Sequence, residues 1–148
     1  KVYVSTPNVS EITNNSEFMI TGVGLLNYPD LSLISDDFSN QEYYNNGDFD
    51  LEINTENLRI IANGFSNFFL KGIVLNANIG LYAGDSRVEA ADLVIQNLNV
   101  FHRSTNKMIV NPQQSITGEI RSLGDVISKN IPPIIDVVEY FTGALIFD

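Results

Sequence analysis

The sequence predicts an all-β protein, a right-handed parallel β-helix, or single-stranded solenoid, with coils of about 18–20 residues. Three observations predict it. A turn signal returns at near-constant spacing, each return leads into a short apolar run, and no stretch of ten residues carries a convincing helical period. The turn reads Asn63-Gly64-Phe65-Ser66-Asn67 before Phe68 and Ala83-Gly84-Asp85-Ser86-Arg87 before Val88. It returns as Ser104-Thr105-Asn106-Lys107 before Met108, Ser122-Leu123-Gly124-Asp125 before Val126, and Thr142-Gly143-Ala144 before Leu145. The marker residues Phe49, Phe68, Val88, Met108, Val126 and Leu145 are separated by 19, 20, 20, 18 and 19 positions. Equal coil lengths keep each strand in register above the last, which such a period requires.

Taken in order, the chain opens on Val2-Tyr3-Val4, a strand-like start that reads as the C-terminal part of a longer chain. Strand runs rich in Val, Ile, Phe and Tyr follow at Leu58–Ile61, Phe68–Leu70, Ile79–Tyr82, Leu93–Ile95 and Leu98–Phe101. Further runs are Met108–Val110, Val126–Ile127, Val137–Phe141 and Leu145–Phe147. Between them lie Gly, Asn, Asp, Ser and Pro, the residues that turn a chain. Eighteen residues are Asn, which suits sharp corners and buried side-chain ladders between coils. Asn46-Gly47 and Asn63-Gly64 are hairpin signals that favour an antiparallel sandwich instead. Hairpins do not explain the constant spacing, and coils do.

The coil model places Phe68, Val88, Met108, Val126 and Leu145 in one inward column. Leu70, Ala90, Val110, Ser128 and Phe147 form a second, two positions on. The rhythm breaks between Phe18 and Phe49, 31 positions apart. An insertion within Gly22–Tyr44 (residues 22–44) is the expected cause, looped out on one face of a single domain spanning 1–148. Six or so coils make a rod roughly 30 Å long at about 4.8 Å per strand.

Composition narrows function. No apolar run approaches the length of a membrane-spanning helix, and no start resembles a signal peptide. The chain has no cysteine, which excludes disulfides, thiolate metal sites and cysteine nucleophiles. The net charge of −10 repels nucleic acid. Residues 1–56 hold ten Asp and Glu against Lys1 alone, so the negative field belongs to the N-terminal portion.

Candidate chemistry is thin. Asp36-Asp37 are neighbours, and Asp48, Asp50 and Glu52 alternate, which puts those three on one strand face about 7 Å apart. Such carboxylates suit acid/base cleavage of a polysaccharide. The same segment also reads as an ordinary half-exposed strand with Phe49, Leu51 and Ile53 turned inward. His102 is the only histidine, which precludes a multi-histidine metal site in one chain, and the repeat aligns it with Tyr82 and Ile120 as a structural strand residue. Gly22-Val23-Gly24 falls short of any phosphate-binding pattern. Arg103 and Arg121 occupy equivalent places one coil apart, as do Arg87 and Lys107, and stacked cations can hold acidic sugars or acidic lipids. Exposed cations of this kind more commonly pair with acids on adjacent coils. No catalytic, metal or cofactor-binding residue is assigned.

The period, the small-residue turns and the ending Gly118-Glu119-Ile120-Arg121-Ser122-Leu123-Gly124-Asp125-Val126-Ile127 resemble the auto-transporter adhesin head GIN domain family of bacterial envelope proteins. Members repeat a Ser-Gly-Ser-Gly-Asp-Val/Ile element, and Val2-Tyr3-Val4-Ser5-Thr6-Pro7 is similar to their leading strand. Here Asn63–Asn67 carries Phe where the family has a second small residue, and Ser104–Lys107 lacks glycine. The resemblance implies a right-handed β-helical domain exported to the periplasm, the outer membrane or the cell surface. It supplies no catalytic residues and no cofactor. The expectation is a non-enzymatic, adhesin-like module for attachment or envelope organisation, contacting a glycan or a surface protein, with the 22–44 loop the first place to test. The alternatives are a polysaccharide-active enzyme using Asp36, Asp37, Asp48 or Asp50, and a purely structural domain that forms homo-oligomers through its coil ends.

Overall fold

The computed structural model describes residues 1–36 and 46–148, and among them there is no helix. Ten strands follow one another: β1 (Glu11–Thr13), β2 (Ile20–Asn27), β3 (Asp30–Ser35), β4 (Phe49–Gly64), β5 (Asn67–Gly84), β6 (Arg87–His102), β7 (Met108–Ile120), β8 (Val126–Ser128), β9 (Ile134–Glu139) and β10 (Leu145–Phe147). Every pairing between them is parallel. The stacking path is β1-β3-β4-β5-β6-β7-β8-β10, with β2 also on β4 and β9 also on β7. This is a β-solenoid of about seven turns, one more than the spacing suggested.

The marker column is real. Phe49 pairs with Phe68, Phe68 with Val88, Val88 with Met108, Met108 with Val126 and Val126 with Leu145. All but Leu145 are fully buried, and the Phe49 and Phe68 rings stack with centroids 4.9 Å apart. In the second column Leu70, Ala90, Val110 and Ser128 are buried, while Phe147 is exposed at the end of the rod. Other inward columns run Leu31–Leu58–Ala77–Leu98–Ile116 and Leu33–Ile60–Ile79–Val100. Mostly apolar side chains thus stack one above another along the rod. That is why alternation along each strand is so regular.

The turns stack as well. Backbone hydrogen bonds link Asp85 N–H to the Gly64 carbonyl, Thr105 N–H to Gly84 and Gly143 N–H to Ser122. Buried Ser104 donates from its hydroxyl to the Ser86 carbonyl at 2.7 Å. Gly72 has a reason to be glycine: its φ is +118°, and a Cβ there would stand 2.0 Å from the Ile53 carbonyl oxygen of the coil before.

Several sequence expectations need correction. The strands of β4 to β7 run 13–18 residues rather than three to five, because the chain bends around corners without leaving the ladder. Asn46-Gly47 and Asn63-Gly64 make no type I′ hairpin, since no non-glycine residue among those described has positive φ. The insertion expected at Gly22–Tyr44 is misplaced over most of its length. Residues 22–27 and 30–35 belong to β2 and β3, in register with β4. Ser35 and Ala62 are partners, as are Phe49 and Phe68. From Ser35 to Phe49 is 14 positions and from Ala62 to Phe68 is six, so the eight extra residues fall after Ser35. Residues 37–44 of that expectation lie outside the described residues. A bulge at Gly22–Gly24 supplies two more, with Thr21 opposite Asp50 and Leu25 opposite Glu52. The first-coil marker is accordingly Ile20, the partner of Phe49, and not the exposed Phe18.

Candidate functional site

Periodicity inside the solenoid forces periodicity outside it. Wherever an inward column is flanked on both sides by outward residues, two outward columns run parallel along the rod, one on each side of the backbone between them. One such pair flanks the Leu31–Leu58–Ala77–Leu98–Ile116 column. On one side stand Asp30, Asn57, Asn76, Asn97 and Ser115, each the register partner of the next. On the other stand Ser32, Arg59, Asn78, Asn99 and Thr117. The two columns enclose an open groove of about 450 Å³ whose floor is the backbone of the buried column.

The first column is tied by side-chain hydrogen bonds that all run in one direction. Asn57 donates to Asp30 Oδ1 at 2.8 Å, Asn76 to Asn57 Oδ1 at 3.2 Å and Asn97 to Asn76 Oδ1 at 3.2 Å. Ser115 Oγ then donates to Asn97 Oδ1 at 3.1 Å. In the second column Asn99 donates to Thr117 Oγ1 at 3.0 Å. The expected asparagine ladders therefore exist, but they face solvent rather than the core. The reason is that the inward positions of these coils are taken by aliphatic residues, and a buried amide ladder would displace them.

A second groove, about 460 Å³, lies around the corner between Tyr28, Pro29, Glu56, Ile73 and Leu75. Farther round, the rings of Tyr82 and Phe101 stack with centroids 5.1 Å apart. The Arg121 guanidinium sits 5.8 Å from the Phe101 ring and 4.1 Å from that of Tyr140. Tyr82 lies over Gly80, where a Cβ would meet its Cε2 at 2.6 Å.

The acids singled out by sequence are used structurally or stand apart. Asp48 Oδ1 accepts from the backbone N–H of Asn67 at 2.7 Å and from its side chain at 3.0 Å, which fastens one coil to the next. Glu52 pairs with Lys71 at 3.3 Å, and Asp50 is exposed between them. Asp36 is buried beside Asn15, whose amide donates to the Asp36 carbonyl. Asp37 lies outside the described residues. Asp48, Asp50 and Glu52 do share one face opposite Phe49, Leu51 and Ile53, as alternation predicts.

Arg103 and Arg121 do occupy equivalent rungs, their N–H groups donating to the Leu81 and His102 carbonyls. Arg121, one residue past β7, pairs with Glu119 at that strand's end, whose carboxylate raises the guanidinium pKa, and Arg87 pairs with Glu89. Among the described residues no group of three or more His, Asp and Glu could hold a metal ion.

His102 is fully buried, in register with Leu81 on one side and Ile120 on the other, so the alignment with Tyr82 is corrected by one residue. Neither ring nitrogen has a hydrogen-bond partner of ordinary geometry, though the Asn106 and Gly124 backbones lie close. Burial pushes its pKa from 6.5 down to about 4, against smaller upward pulls from those backbones and from the Asp125 carboxylate.

Fold and surface together define a class: a parallel β-solenoid that displays straight columns of side chains at one rung per coil. Within that class, the family model described as "Putative auto-transporter adhesin, head GIN domain" matches residues 1–132, and the chain belongs to that family. Comparisons with curated proteins and with solved structures give no match.

Proposed function

We propose that this chain is an exported, non-enzymatic attachment module of the bacterial periplasm or cell surface, holding a glycan or a surface protein along its rod. The observation that carries the reading is the doubled column of exposed and half-buried polar side chains across five consecutive coils, together with membership of an adhesin-described family. A rigid periodic surface gains by repetition, because each coil adds one equivalent contact without a new ordering cost. The test is display of the chain on a non-adherent bacterium, followed by counting cells retained on glycan-coated and matrix-protein-coated surfaces. Retention above the empty display vector is expected; retention equal to it on every coating refutes the reading.

Self-association through the coil ends belongs to the same proposal. At the C-terminal end Ile135 continues the Leu98–Ile116 column yet is 46% exposed, and Ile134 and Val138 stand open beside it. The outer edges of β9 and β10 pair with no further strand among the described residues. A second copy set end to end would continue the parallel ladder. Light scattering giving a concentration-independent monomer mass removes this part and leaves the attachment reading intact.

A further inference from the structure

We propose that the groove between the Asn57–Asn76–Asn97 column and the Arg59–Asn78–Asn99 column binds an extended, uncharged polysaccharide chain laid along the rod axis. This rests on the attachment reading and names the ligand class of that surface. Hydrogen-bonding capacity is the first support. A carboxamide has two N–H donors and two acceptor lone pairs. In the ladder Asn57 and Asn76 each spend one N–H on the rung before and one lone pair on the rung after. Each therefore keeps one donor and one acceptor for solvent. Sugar hydroxyls, which both donate and accept, match that pair better than any one-signed group does.

Spacing and rigidity point the same way. Successive rungs stand about 4.8 Å apart, close to the advance of one pyranose ring in an extended chain, and four steps from Asp30 to Ser115 span roughly 19 Å. The ladder holds its amides in one rotamer before any ligand arrives, so little side-chain entropy remains to be lost on binding. Charge then selects against acidic chains. Of the ten residues in the two columns only Asp30 and Arg59 are ionised, one of each sign, and the whole protein carries −10. A peptide is disfavoured because the groove lies on a sheet face. Its backbone N–H and C=O groups are already spent between coils, which leaves no edge for strand addition.

The experiment is affinity electrophoresis of the whole chain through gels containing a neutral chain (xylan, glucomannan or mixed-linkage glucan) or an acidic one (alginate or polygalacturonate). Retardation by at least one neutral chain is expected, with the Asn76→Leu/Asn97→Leu double variant weakened about tenfold or more, as for loss of several hydrogen-bonding groups. Asn78→Leu keeps the folded ladder untouched, because among the described residues that side chain makes no hydrogen bond, and should weaken binding in the same direction. Lys71→Ala, on the Glu52 side of the rod, should bind as the parent does. Circular dichroism melting of each variant reports whether the fold is kept. No retardation by any neutral chain, retardation by acidic chains alone, or unaltered binding by folded Asn78→Leu protein overturns the proposal. So does retention on an array of unstructured peptides in place of polysaccharide. Displayed cells that still adhere while the purified chain ignores every neutral polysaccharide would sink the groove and spare the attachment reading.

Discussion

Acid should loosen this solenoid through one buried imidazole, and the size of the effect follows from its surroundings. His102 sits between Leu81 and Ile120 in an inward column, with its pKa lowered from 6.5 to about 4, chiefly by burial. In the unfolded chain the ring takes up a proton near its ordinary pKa, while in the fold it stays neutral until the pH is much lower. Unfolding therefore gains protons across that window. The contribution to stability is complete above pH 6.5 and is lost as pH falls toward 4. By linkage the loss is about 2 kcal/mol at about pH 5 and about 3 kcal/mol at about pH 4.

His102→Leu continues the aliphatic column and removes the titration. The assay is denaturant unfolding of parent and variant across a series of pH values. The difference between their stability losses isolates His102 from the carboxylates, which both proteins share. A parent that loses about 2 kcal/mol more than the variant between neutral pH and about pH 5 is the expected result. Parallel loss curves, or an imidazole proton signal titrating near 6.5 in the folded protein, would refute the placement of His102 in a dry column.

Other outcomes follow from the same geometry. Val88→Asp puts a carboxylate in the marker column between Phe68 and Met108, an unpaired burial costing several kcal/mol, so the purified variant should show no cooperative melting transition. Phe68→Ala empties a fully buried site stacked on Phe49 and should cost about 3–5 kcal/mol by denaturant titration. Gly118→Ala meets the Val100 carbonyl oxygen at 2.0 Å with φ at +121°, so a melting temperature within a degree of the parent would contradict this register. Gly80→Ala should evict the Tyr82 ring from its place beside Phe101 and change the near-ultraviolet circular dichroism, with a smaller effect on melting.

The coil was readable because one physical constraint writes itself into the chain repeatedly. Burial above a counterpart favours an apolar side chain at each turn, so Phe49, Phe68, Val88, Met108, Val126 and Leu145 declared both the column and its period. Family membership was legible for the same reason, in the turns that the period sets. Where register shifts by a residue or two, counting failed. The bulge between Phe69 and Gly72 moved His102 from beside Tyr82 to beside Leu81, and the bulge at Gly22–Gly24 added two residues to a coil whose other eight extra residues fall after Ser35.

The polar groove was the larger omission. Its signal, an Asn-x-Asn pattern at Asn76–Asn78 and Asn97–Asn99, stands in the sequence. The faces those amides occupy depend on which neighbours point inward. By itself the sequence determined that this chain coils, which residues fill the column and which family it belongs to, since burial is a local demand repeated at every turn. Only the tertiary structure decided that the asparagines face water in two aligned columns, because alignment across coils is set by bulges whose one- and two-residue slips no single stretch of chain records.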